Sequence, residues 1–261
     1  MSDSSIASKI SKIKPVGIIN YDSSFDLSEF QEGMRGKFSK LDYYEKNMYR
    51  RIEELKYIHK DIILTLDRIN EHISLANRQL ELFNKMGDRT ITKVEEKEYR
   101  ESVSYDQQGY LNLDVRILFV LIGVFMDKMP RLLNSLLKRG KKPKGSSFYR
   151  YKNSIKKYGG KELDELKKII HSTEWYYGKG GVKDIRDDYV IHHPAGQGLS
   201  SRGPNYISST IATRRDEVLR LESISNESIQ AIILVLEKFI RDIHRFIKEN
   251  YNSIPHEISY S

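Results

Sequence analysis

Between Ser39 and Phe83 the apolar residues fall at Leu41, Tyr44, Met48, Ile52, Leu55, Ile58, Ile62, Leu66, Ile69 and Ile73, in steps of three and four. That spacing puts them on one face of a helix. No proline or glycine interrupts the run before Gly87. A helix of this length would be roughly 65–70 Å long at the usual rise, so it bends or protrudes from its domain. A second stripe, from Leu111 to Lys138, carries Val115, Leu118, Ile122, Phe125, Met129, Leu132, Leu133 and Leu136. Apolar residues also cover its other faces between Ile117 and Met126, which predicts a central, buried helix. Pro130 inside it predicts a kink or a new segment. A third stripe runs through Ile229, Ile232, Ile233, Leu236, Phe239, Ile240, Ile243, Phe246 and Ile247, with Ser225 or Asn226 as N-cap. A shorter amphipathic helix, Lys161 to Tyr177, stops at Gly178, Gly180 and Gly181, which read as a turn.

The stretches between these stripes are less regular. Residues 1–36 are rich in Ser, Asp and Gly and read as a poorly ordered arm that docks through Ile18, Phe25 and Phe30. Gly87 to Gln108 reads as a charged connection or a frayed helix. Leu199 to Ser223 reads either as a small β-hairpin near 203–222, centred on Thr213 to Arg215, or as a loop with a short helix. The expected fold is therefore all-α: an antiparallel helical bundle over 37–252, one helix of it unusually long, with a loose tail over 253–261.

Composition narrows the chemistry. With no cysteine, disulfides, thiolate nucleophiles and cysteine-held metals are excluded, which suits a cytoplasmic protein. The N-terminus lacks the apolar core of a signal peptide. The most apolar run, Ile117 to Met126, is ten residues, against the roughly 20 needed to span a bilayer, so no membrane partner is expected. The net charge of +8 favours polyanions. That charge is concentrated in Leu137 to Lys161, where eight lysines and two arginines interleave with Phe148, Tyr149, Tyr151 and Tyr158, without an acidic residue. Cations attract phosphate and rings stack on unpaired bases, so Lys141, Lys142, Lys144, Tyr149, Arg150, Tyr151 and Lys152 are candidate contacts to single-stranded nucleic acid.

Ile185 to Gly198, IRDDYVIHHPAGQG, concentrates the polar chemistry. A metal site is not expected. The seven histidines, at 59, 72, 171, 192, 193, 244 and 256, never fall four apart, and Asp184, Asp187 and Asp188 lie on one short segment. His59 and His72 are lone histidines on a long helix and read as structural. A serine hydrolase is expected still less, since no Gly-x-Ser-x-Gly is present, and no cofactor is expected. RNA cleavage without metal needs a base, an acid and a cation on the phosphate. Histidine supplies the first two near neutral pH, and arginine supplies a fork of donors matched to phosphate.

Arg186, the polar Asp187 after it, and the histidines a few residues on resemble the motif of the HEPN superfamily (the nucleotide-binding domain of higher eukaryotes and prokaryotes). Five residues separate Arg186 from His192 and six separate it from His193. The family's usual His-His or His-small pair favours His192. Helical geometry favours His193, because a step of seven returns to within about 20° of Arg186. The resemblance implies a metal-independent endoribonuclease of a toxin or antiviral system, acting on RNA. Two protomers would bring their arginine–histidine pairs into one composite cleft, with an antitoxin or defence-system partner. In that scheme histidine is base or acid, Arg186 holds the scissile phosphate and Asp187 orients one of them. Two other readings stand beside it: a non-catalytic nucleic-acid or nucleotide-binding module, and a helical scaffold. In either, Pro194 and Gly196 simply end a helix whose last turn favours the cationic form of His192 and His193.

Overall fold

The computed structural model describes residues 17–103, 107–137, 147–158, 163–178, 181–187, 198–199, 209–215, 218–224 and 226–251. Its elements in chain order are α1 (Leu27–Arg35), a 3-10 turn (Phe38–Lys40), α2 (Tyr43–Gly87), α3 (Lys93–Val103), α4 (Gln107–Leu136), α5 (Phe148–Ile155), α6 (Asp164–His171), α7 (Glu174–Tyr177), α8 (Val182–Ile185), β1 (Gly198–Leu199), β2 (Ser209–Arg215), β3 (Val218–Ile224) and α9 (Asn226–Asn250). The described chain is mostly helical, and no helix in it is long and apolar enough to cross a membrane.

Reciprocal caps start the two charged helices. The Asp42 carboxylate accepts from the Glu45 N–H at 2.8 Å, and the Glu45 carboxylate accepts from the Asp42 N–H at 2.9 Å. Thr92 and Glu95 repeat the arrangement before α3, in the charged stretch expected as a connection or frayed helix. The long stripe forms one uninterrupted helix of 45 residues. It ends where Arg89 takes a left-handed φ of 55° and the Thr90 N–H reaches the Lys85 carbonyl at 2.8 Å. Helix α4 continues through Pro130, which does not begin a new segment. The Lys161–Tyr177 stripe is broken into α6 and α7.

The chain divides into two compact units. The first comprises 1–20, 65–117 and 192–231. Its core includes Leu66, Ile69, Ile73 and Leu82 of α2, Leu111 and Val115 of α4, and Ile19, whose backbone is held in both directions by the Asn70 amide at 2.8 Å. Within this unit Asp114 is buried and accepts from Arg68, while His72 Nε2 lies 3.3 Å away from it. Strands β1, β2 and β3 pair antiparallel in that order, with Ser209 opposite Ile224 and Arg215 opposite Val218. That register places Thr213, Arg214 and Arg215 in β2 rather than in a connection.

The second unit comprises 21–64, 118–191 and 232–261. Its core takes Ile52 and Leu55 from α2, Ile122, Phe125 and Met129 from α4, Phe148 and Ile155 from α5, and Phe239, Ile243 and Phe246 from α9. Within the 1–36 segment, Leu27–Arg35 form a helix. Helix α1 buries Leu27 and Met34. Phe25 lies against His59 and His244, and Phe30 against Tyr251. The helical spacing Leu27, Phe30, Gln31, Met34 was present in the sequence but too short to stand out from its polar neighbours.

Candidate functional site

Arg186 sits at the end of α8, still in helical backbone conformation. A tight turn aims this short helix. The Gly181 N–H bonds the Gly178 carbonyl at 2.7 Å, and a Cβ on Gly181 would lie 2.8 Å from the Trp175 carbonyl oxygen. Gly181 therefore permits a close backbone approach at the turn.

The Arg186 side chain is 15% exposed and meets three elements. Its Nε donates to Asp187 Oδ1 at 2.8 Å, and Nη2 lies 2.7 Å from the same oxygen. Nη1 donates to the Tyr176 hydroxyl at 3.4 Å and is 3.5 Å from Asp127 Oδ2 on α4. The guanidinium also lies against Gly123: a Cβ there would be 2.3 Å from Nη1 and 2.7 Å from Cδ. Burial opposes the charge of Arg186 but is outweighed by Tyr176 and by the bond to Asp187, so its pKa is raised and the cation is held. Burial likewise works against the Asp187 carboxylate, yet hydrogen bonds from Lys183 and Arg186 lower its pKa. Desolvation raises the Tyr176 hydroxyl, keeping it protonated.

Asp127 has a second task. Its Oδ1 accepts the Phe148 N–H at 3.2 Å, at the first residue of α5, where Ser147 is the N-cap. Helix α5 thus leaves the basic segment with its start tied to the carboxylate that faces Arg186. On α5, Tyr149 and Arg150 are exposed. The Tyr149 ring makes an edge contact with Tyr177 at 5.6 Å, and Tyr177 contacts Tyr176 at 4.7 Å. Tyr151 must be corrected as a nucleic-acid contact. It is fully buried, because Phe148, Tyr151 and Ile155 form the apolar face of α5. Lys152 is largely covered, with Nζ 3.3 Å from Glu174 Oε1 and 5.3 Å from the Tyr177 ring centroid. Lys141, Lys142, Lys144, His192 and His193 lie outside the described residues.

Gly123, Asp127 and Tyr176 were not singled out in the sequence. Asp127 and Tyr176 carry no local signal. Gly123 left one trace, a glycine in the interior of an otherwise apolar helix, which marks a close approach. Elsewhere in this unit, a cleft of about 770 Å³ is lined by Gln31, Tyr49, Lys56, Tyr57, His59 and Lys60 among others, and it shares no lining residue with the Arg186 cluster. Among the described residues no group of three or more His, Cys, Asp or Glu is placed to hold a metal ion. Comparisons with protein-family models, curated proteins and solved structures found no significant match to this chain.

Proposed function

We propose that this protein is a metal-independent endoribonuclease of the HEPN type, cleaving single-stranded RNA at a site built on Arg186. The observation that carries the reading is a fixed, charged Arg186 held by Asp187, Asp127 and Tyr176, with Asp127 also binding the first N–H of α5, the helix that exposes Tyr149 and Arg150. In the proposed reaction His192 or His193 takes the proton of the RNA 2′-hydroxyl. The 2′-oxygen attacks the adjacent phosphorus, and Arg186 donates to the phosphate oxygens on which charge grows. A second histidine, from the same pair or from a second copy of the chain, protonates the departing 5′-oxygen. The products are a 2′,3′-cyclic phosphate and a 5′-hydroxyl. Such an enzyme suits a toxin or phage-defence effector restrained by a partner protein.

The test is cleavage of a labelled single-stranded RNA in EDTA by the wild type and by Arg186→Ala, His192→Ala and His193→Ala. The expected result is cyclic-phosphate product from the wild type and loss of product without Arg186 and without one of the histidines. Intact RNA under every condition would sink the reading.

One observation favours a second reading. Asp127 and Asp187 both face Arg186, so the guanidinium is also a structural tie between α4, α7 and α8. The protein would then bind nucleic acid through Tyr149, Arg150 and the basic segment without chemistry. Salt-sensitive binding that survives loss of both histidines distinguishes this reading.

A further inference from the structure

The geometry points to a seat on α4, made by Gly123 and Asp127, that positions the Arg186 guanidinium. These two residues are one helical turn apart and so share a face of α4. Gly123 supplies the space: any larger residue would put a carbon 2.3 Å from Nη1 and 3.1 Å from Cζ. Asp127 supplies the direction. Its Oδ2 faces Nη1 at 3.5 Å while its Oδ1 is engaged by the Phe148 N–H at 3.2 Å, which keeps the carboxylate from turning away. Tyr176 Oη approaches Nη1 from α7 at 3.4 Å. Asp187, the neighbour in sequence, grips the opposite edge through Nε and Nη2. A guanidinium is planar, so contacts on two edges and a backbone surface beneath fix both its place and its tilt. Asp187 alone fixes one edge and leaves the plane free to swing.

Gly123 and Asp127 are positioning residues, since they act on substrate only through Arg186. The functional half of this assignment rests on the ribonuclease reading; the structural half does not. A glycine in a helix interior is unfavourable relative to alanine. A glycine under Arg186 is nevertheless what a seat requires, because the arginine is the flexible partner and would be the group displaced by a methyl.

The experiment uses the full chain and two variants. Gly123→Ala fills the seat while favouring the helix. Asp127→Asn keeps an Oδ1 acceptor for the Phe148 N–H but removes the charge facing Nη1. The first readout is the Arg186 Nε–Hε NMR resonance, assigned by its loss in Arg186→Ala. The second is kcat and KM on a single-stranded RNA in EDTA. The expected result is a shifted Arg186 resonance in both variants. With it, kcat falls roughly 10- to 100-fold, the scale of a misplaced catalytic group, and KM changes much less. In the Arg186→Ala background, Gly123→Ala raises Tm, because the collision is gone and only the helix preference remains. An Arg186 resonance unmoved by both substitutions overturns the seat. A moved resonance with unchanged kcat overturns its positioning role. A moved resonance in a protein whose wild type cleaves no RNA confirms the seat and overturns the ribonuclease reading instead.

Discussion

Arg186 and His244 belong to the same compact unit, and both are basic side chains pressed out of water, yet one keeps its charge and the other does not. Around Arg186 a carboxylate on each side and a tyrosine hydroxyl outweigh the cost of burial, so the cation is kept. His244 is 2% exposed and packs edge-on against Phe25 at 4.7 Å. Burial, with smaller repulsion from His59 and Lys248, pushes its pKa down to about 3. His59 falls between them: Asp22 and Asp26 favour its charge, but burial against Phe25 prevails and its pKa is lowered. Depth and partners oppose each other on a buried base: at His59 depth prevails, whereas Arg186 starts from a far higher intrinsic pKa and also keeps its carboxylates. The Arg186 cluster thus keeps a full positive charge among polar partners, whereas His59 and His244 are buried beside Phe25 with their charged forms disfavoured.

The largest expected effect tests that division by activity. Arg186→Ala should reduce RNA cleavage in EDTA by about 100-fold or more, the scale of losing a preorganised donor to a developing anion. His59→Gln should leave the rate within about twofold. Equal losses in the two variants would erase the distinction between site and core.

Next comes the pH dependence of stability. The folded-state pKa values of His244 and His59 lie below the unfolded value near 6.5, so the unfolded chain binds more protons. The stability that this neutrality represents is present above about pH 6.5 and is lost as pH falls toward the folded value of His244, about 3. Urea melts between pH 7 and 4 should show a steep loss of several kcal/mol, and His244→Leu should flatten much of it. An unchanged slope in that variant would show that other groups govern acid unfolding.

Smaller effects separate the two tyrosines that stand two positions apart on α5. Tyr149→Ala should weaken single-stranded RNA binding by about 1–3 kcal/mol, one stacked base, with little change in Tm. Tyr151→Phe should leave binding untouched and stability within about 1 kcal/mol, since among the described residues its buried hydroxyl has no hydrogen-bond partner. Filter binding and thermal melts of the two variants check both, and a binding defect in Tyr151→Phe would reopen its assignment to the core.

Much of the helical architecture was legible because period-3.6 stripes declare themselves over long windows. The stripe of α2, the apolar excess of α4 and the seam of α9 were readable to within a few residues of their ends. Short elements were not. Helix α1 is nine residues and α5 is eight, and in each the apolar face is only three or four positions among charged neighbours. Tyr151 shows this: the composition of its segment suggests a basic aromatic surface, while its spacing with Phe148 and Ile155 describes a core face. For the candidate site, Arg186 and Asp187 were visible as neighbours in a polar run.

By itself the chain determined what depends on local order: long amphipathic helices, the absence of thiol chemistry, a basic balance and a polar cluster at Arg186. Tertiary structure alone decided what surrounds that cluster. Gly123 and Asp127 lie some 60 residues before Arg186 on another helix, and no periodicity connects them to it. Only packing of α8 against α4 brings a glycine's missing side chain beneath a guanidinium and a second carboxylate to its far edge. Charge states followed from the same cause, because burial and partners are properties of neighbours in space. The arginine was written in the sequence, and its orientation came from contacts that only the folded chain makes.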